Sequence, residues 1–113
     1  MYGLPKDFDG SMLVGRVLEM VCFNKNQVYL HFDGKTSIMI ESAFSYDSDQ
    51  ILELPIKESS IMVLLEASVL EAKGDNNGTL SLVFSNGQTV KVYDTSKKYE
   101  SYSINYGGKV IIV

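Results

Sequence analysis

The chain nearly repeats itself, and this constrains its fold more than any other feature. Residues 13–40, moved forward by 52 positions, fall on residues 65–92 without a gap. Leu13, Val17, Leu18, Glu19, Asn24, Leu30 and Phe32 land on Leu65, Val69, Leu70, Glu71, Asn76, Leu82 and Phe84. A constant offset over a whole supersecondary unit predicts one antiparallel β-meander used twice, with repeat units at about 11–41 and 60–93.

Period-two patterning sorts the strands into faces. Leu18, Met20 and Cys22 share one face of the first strand, and Val28, Leu30 and Phe32 one face of the second. A three-residue loop, Asn24-Lys25-Asn26, sets the two rows opposite each other, with Asn26 in the left-handed position that Gly78 takes in the second copy. Asp33-Gly34 and Asn86-Gly87 are two-residue turn signals, yet such a turn would face Leu30 with Ser37. Facing Leu30 with Ile38, and Leu82 with Val90, needs a longer loop, and the buried face decides register.

Ser11 is placed to cap a turn over Met12–Val14 that Gly15 closes. Its counterpart has Ile61, Leu64 and Leu65 at helical spacing, which predicts a short helix over 59–67. Residues 45–57 read as a connector with a brief strand, and residues 100–113 as a C-terminal hairpin turning at Gly107-Gly108. A chain of 113 residues is sized for one domain, 1–113. The expected fold class is therefore β-rich α+β: two similar antiparallel β-meanders, one short helix and a C-terminal hairpin.

Composition narrows the function classes. Net charge is −4 and Arg16 is the only arginine, a balance that argues against nucleic-acid binding. No stretch reaches the ~18 apolar residues of a membrane span. The first residues lack a basic start and an apolar core, which predicts a cytoplasmic protein. Cys22 is the single cysteine, so no intrachain disulfide forms; it reads as a small buried hydrophobe.

The faces turned away from the repeat's shared core differ. The first copy carries Val21, Phe23, Tyr29 and Met39 there, with Glu19 and His31; the second has Lys73, Asp75, Ser81 and Lys91, with Glu71 and Val83. The first meander thus needs cover, from the Ile61–Leu65 helix, the final hairpin, a second copy of the chain or a protein partner. Phe23, Tyr29 and Met39 are the interaction candidates on this argument. Glu19 and His31 make a polar pair across the first hairpin, a way to orient a general base. With no nucleophile nearby and Cys22 on the opposite face, no catalytic residue is assigned. No metal set or cofactor motif emerges: Asp7-Phe8-Asp9-Gly10 and Asp47-Ser48-Asp49 lack the spacing of a calcium loop. Tyr99, Glu100, Tyr102 and Tyr106 form the most unusual local composition, suited to a half-buried sheet face or a recognition patch.

Four stretches carry a family resemblance: Leu13-Val14-Gly15-Arg16-Val17-Leu18, Phe32-Asp33-Gly34, Leu64-Leu65, and Tyr99-Glu100-Ser101-Tyr102-Ser103-Ile104 followed by Gly108–Val113. Together they resemble a family of small bacterial proteins of unknown function. The chain departs from that pattern at Glu66, where a glycine matching Gly15 is expected. The resemblance implies a bacterial, stand-alone domain and transfers no activity. The functional expectation is a non-catalytic protein-interaction or accessory (immunity-type) module. The alternative is a small-ligand-binding domain or minor hydrolase with a pocket between the meanders, using Glu19, His31 or Tyr102. A purely structural role is the third reading.

Overall fold

Strict alternation of apolar and polar residues builds both halves of the molecule, and two sheets result. A computed structural model describes residues 3–24, 26–46, 51–53, 64–95 and 100–113. The first sheet runs β1 (Leu18–Phe23), β2 (Val28–Phe32), β3 (Thr36–Ile40), β9 (Tyr102–Tyr106), β10 (Lys109–Ile112). The second runs β5 (Ile51–Glu53), β4 (Ala43–Tyr46), β8 (Thr89–Tyr93), β7 (Leu80–Phe84), β6 (Val69–Gly74). Every strand pair is antiparallel. The chain crosses from one sheet to the other after β3 and returns after β8. The final hairpin therefore joins β3 in the first sheet's plane.

The alternate residues that point inward meet in a single hydrophobic cluster. Leu30, Ile38 and Ile104 from the first sheet and Leu82, Val90 and Val92 from the second are fully buried in it. Burial of this apolar area, at about 25 cal/mol per Å², holds the two sheets together. The registers Leu30↔Ile38 and Leu82↔Val90 match the expected pairing. Three-residue connections supply them: Phe32 pairs with Thr36 across residues 33–35, and Phe84 N–H donates to the Gln88 carbonyl across residues 85–87.

Four expectations need correction. Among the described residues there is no α-helix, and a 3-10 turn covers Gly10–Met12, capped by the Asp9 carboxylate on Ser11 N–H rather than by Ser11. Of the expected helix over 59–67, residues 59–63 lie outside the described residues, and the chain turns at Leu64–Glu66. The first hairpin has a four-residue connection, since Phe23 pairs with Val28. A strand, β4, occupies part of the expected connector, placing Phe44 inward opposite Val92.

The two meanders meet where β1 and β6 begin, in hydrogen bonds that occur in pairs. Gly15 N–H donates to the Val69 carbonyl and Glu66 N–H to the Leu18 carbonyl. Leu18 N–H donates to the Ala67 carbonyl and Val69 N–H to the Arg16 carbonyl. Val17 N–H is held by Asp33 Oδ1 at 3.0 Å and Ser68 N–H by Ser85 Oγ at 3.0 Å. Within each pair the residues of the first strand are displaced by 51 positions, not 52, as in Gly15 and Glu66 or Leu18 and Val69. Leu13 and Leu64 are accordingly the buried counterparts, whereas Leu65 is 39% exposed.

This shift explains Glu66. It occupies the left-handed position of Gly15, with φ of 71° against 85°. A side chain there costs about 1–2 kcal/mol. Glu66→Gly should therefore stabilise the protein by about 1 kcal/mol, and Gly15→Ala should destabilise it by a similar amount. A Cβ at Gly15 meets nothing within 4 Å, so the backbone conformation alone sets that cost. Urea unfolding of the two variants reads both signs; a destabilised Glu66→Gly would contradict the assignment.

Candidate functional site

One extra residue in β1 decides which side chains face outward. A β-bulge lies between Leu18, opposite Phe32, and Met20, opposite His31. Inserting a residue reverses the side-chain alternation beyond it. Met20 and Cys22 therefore share the outer face with His31 and Tyr29, while Val21 turns inward opposite Leu30. Phe23, 37% exposed, pairs with Val28 on the inward side at the strand's end and is separated from Tyr29 and Met39. Cys22 is half-buried on the outer face rather than in the core.

The bulge also dissolves the Glu19–His31 pair. Glu19 is the exposed extra residue, and the described ion pair is Lys73–Glu71 at 2.9 Å. His31 instead stacks on Tyr29, ring centroids 5.6 Å apart and planes within 6°. The polar groups named for a pocket between the meanders do not converge: Glu19 and His31 are on the outside and Tyr102 is in the core. Among the described residues no three His, Cys, Asp or Glu side chains are grouped to hold a metal ion.

The outer face of the first sheet extends across five strands. Ser37 and Met39 continue it through β3, Ser103 and Asn105 through β9, and Ile112 and Val110 through β10. The final hairpin widens this face instead of covering it. Met20 is 50% and Val110 53% exposed at its two edges. Residues 61–63 of the expected helical cover lie outside the described residues.

One end of this face is polar and tightly bonded. Gln27 Nε2 donates to Glu41 Oε1 at 3.1 Å and contacts Met39 Sδ, while Gln27 Oε1 accepts from Tyr29 OH at 3.2 Å. Glu41 N–H donates to the Ser101 carbonyl, which brings the Glu100 carboxyl beside that of Glu41. Partial burial raises the Glu100 carboxyl above its ordinary value, and the charge and hydrogen bond of Glu41 raise it further.

The second sheet presents different chemistry outside. Its corresponding positions carry the Glu71–Lys73 pair, Ser81, Val83 and Lys91. Ser45 Oγ and Tyr93 OH are bonded at 2.9 Å. Short side chains here leave an open polar groove of about 430 Å³ lined by Asp75, Thr79, Ser81, Lys91 and Tyr93. In the first sheet the equivalent space holds Tyr29, Met39 and Glu41.

Of the tyrosine-rich stretch, Tyr99 lies outside the described residues. Tyr106 is half-buried against the core. Tyr102 is fully buried, and its hydroxyl donates to the Gly78 carbonyl at 2.6 Å, tying β9 to the hairpin between β6 and β7. It is part of the interior rather than a contact surface. Burial raises its phenol well above the usual value of about 10, and the Asp94 and Asp75 carboxylates raise it further. The folded protein holds this proton more tightly than the unfolded chain does. The stabilisation is complete below pH ~10 and is lost as pH rises above it, by up to about 1.4 kcal/mol per pH unit. Tyr102→Phe should cost about 1–3 kcal/mol at neutral pH, leaving the Gly78 carbonyl unpaired, and should lack this alkaline slope. Urea unfolding from pH 8 to 11 (roughly the window of the slope) checks both; parallel profiles would remove the assignment.

Residues 10–113 match a family of unknown function, DUF6188. The chain belongs to that family. No curated protein and no solved structure matches it. Among the described residues, no helix of this family member is long and apolar enough to cross a membrane. The outward-facing Met20, Val110 and Ile112 escaped the sequence reading. A bulge leaves no mark in an apolar run such as Met20–Phe23, and the pairing of β9 with β3 is non-local.

Proposed function

We propose that the protein is a non-catalytic interaction module, an accessory factor of the bacterial cytoplasm, which binds a protein surface through the outer face of its first sheet. The two meanders are copies of one unit, offset by 51 positions before the first hairpin and by 52 after it. Equivalent positions can then be compared directly, and the observation that carries the reading is their divergence. Met20, Cys22, Tyr29, His31 and Met39 correspond to Glu71, Lys73, Ser81, Val83 and Lys91. In one scaffold, one copy has an ordinary solvated exterior and the other carries thioethers and a stacked aromatic pair.

Such side chains favour association. Methionine is flexible and polarisable and adapts to a facing surface, and tyrosine supplies large area with a polar handle. Charged residues are depleted at the centres of interfaces, as they are along this face. The test is a benzophenone amino acid placed at Met39, or at Lys91 on the other sheet, in the protein expressed in its own cells. A light-dependent protein adduct from position 39 and none from position 91 is the expected result. Equal adducts, or none at position 39, would remove the reading.

A further inference from the structure

The outer face of the first sheet is open at its borders rather than over its middle. Ser103, one strand in from the border, is 4% exposed, whereas Val110 on the last strand is 53% exposed. β10 ends the sheet, so one side of its backbone has no neighbouring strand among the described residues. Three observations fix which residues turn their main chain to that side. Val113 N–H donates to the Tyr102 carbonyl, so alternation also turns Ile111 and Lys109 toward β9. Gly107 and Gly108, both at positive φ, make the two-residue turn that closes on the Tyr106–Lys109 pair. Glu41 N–H donates to the Ser101 carbonyl, a phase that commits the main chain of Ser103 and Asn105 to β3 and away from β10. Val110 and Ile112 therefore aim their N–H and carbonyl groups out of the sheet.

Sheet edges are ordinarily blunted by bulges, charges, proline or shortness, and the other three edges here are. β1 and β6 each carry a bulge, with Glu19 on one and Glu71 and Lys73 on the other. The start of β1 is also bonded to residues 66 and 67, and the Gly10–Met12 turn packs on β6. β5 is only three residues long. β10, continued by Val113, is a regular run with a single charge, Lys109, at its start.

Resting on the reading that this face binds protein, we propose that the partner contributes an extended strand, which pairs with the free edge of β10 and continues the first sheet. Alternating main-chain donors and acceptors are matched by another strand, as in other cases of strand addition. Residues opposite Val110 and Ile112 share the outer face with them, so that strand is apolar at these two alternate positions. A carboxylate opposite Lys109 completes the match. A second copy of this chain lacks that carboxylate. Antiparallel self-pairing that sets Val110 opposite Ile112 leaves Lys109 opposite the apolar Val113, and it brings together two chains of net charge −4.

Val110→Pro tests this, because it removes an N–H that points out of the sheet and none that bonds β9. In the protein carrying benzophenone at position 39, expressed in its own cells, Val110→Pro should cut the protein adduct at least about tenfold. Val110→Thr, which keeps the N–H and the side-chain shape, should retain it. Both variants should unfold within about 0.5 M urea of the wild-type midpoint. A much lower midpoint for Val110→Pro would mean that this N–H bonds β9, and the proposal would fall. In the purified wild type, amide exchange should be fast at Val110 and Ile112 and at least about 100-fold slower at Ile111 and Val113. Slow exchange at Val110 and Ile112 in dilute protein would mean that the edge is already closed. Protection that grows with concentration would make a second copy the occupant. Either result overturns the proposal. So does an adduct that survives Val110→Pro, which keeps the face and removes the strand, or one lost equally in Val110→Thr, which puts the contact in the side chain. Absence of the adduct from the wild type removes the parent reading and this inference with it.

Discussion

Phe84→Ala should cost about 3–5 kcal/mol of folding stability, as is usual when a buried aromatic ring is removed from a packed core. Phe84 is fully buried, and its ring stacks on that of Phe32 with centroids 6.4 Å apart and planes 14° from parallel. Phe32 is opposite Leu18 in the first sheet, and Phe84 opposite Val69 in the second. The pair thus sits beside the crossing of β1 and β6, where Val17 bridges Ser68. Neither ring can be replaced by its neighbours, because the backbones on both sides are pinned by the paired hydrogen bonds of that crossing. Phe32→Ala should behave similarly. The double variant should lose less than the sum of the singles, by about 0.5–1.5 kcal/mol, the coupling of an aromatic pair in contact. Equilibrium urea unfolding measures all three. Strict additivity would mean that the rings do not touch, and a single loss under about 1 kcal/mol would mean that the meanders do not meet there.

The residues of this crossing also show why the registers of the two meanders are legible in the sequence, while an offset of 52 misaligns their first strands by one position. From Val28 onward the two copies run in step, and alternation carried the register of β2 with β3 and of β7 with β8. A strand buried on one face tolerates no slip there, since a slip would expose every apolar residue at once. Upstream of the hairpins, adjacent residues of similar character hide the shift: Leu64 and Leu65 are interchangeable letters, as are Val69 and Leu70. Burial separates them, Leu64 at 0% and Leu65 at 39% exposed, Val69 at 1% and Leu70 at 59%. Gly15 and Glu66 were the surviving marker. A glutamate in a glycine's place looks like a departure in sequence, and only the backbone angle reveals it as the same position.

The candidate site was less legible for a related reason. Residues on the outer face were inferred by parity from Leu18, and the β1 bulge inverts parity. Tyr29 and Met39 face outward as parity gives, because they lie beyond the bulged strand, whereas Phe23 turns inward and Glu19 is no longer opposite His31, because both depend on it. Tyr102 failed differently. Its composition suits a recognition patch, but its hydroxyl partner is the Gly78 carbonyl, 24 residues away. No local pattern announces such a contact.

Gly10→Ala should be the most damaging of the smallest possible substitutions, at about 3 kcal/mol or more. Gly10 is buried and opens the 3-10 turn that packs on β6. A Cβ there would stand 2.2 Å from the Ala72 carbonyl oxygen and 2.8 Å from its carbonyl carbon. Those atoms belong to a strand whose Ala72 is paired with Leu82, so the strand cannot retreat without opening the ladder. The turn must move instead, and it carries Leu13, which is fully buried and receives the next turn's hydrogen bond from Arg16 N–H. One methyl group thus displaces a core leucine. The Ala72 Cβ is also close, at 2.7 Å, which permits a control. If side-chain crowding were the cause, Ala72→Gly would rescue Gly10→Ala. Because the nearest atom is backbone, the double variant should remain within about 1 kcal/mol of Gly10→Ala, or fall below it, since glycine weakens a strand interior. Thermal and urea unfolding of the three variants decide the matter. A Gly10→Ala protein as stable as wild type would mean that the turn does not pack on β6, and with it the docking of the N-terminal residues against the second sheet would fall.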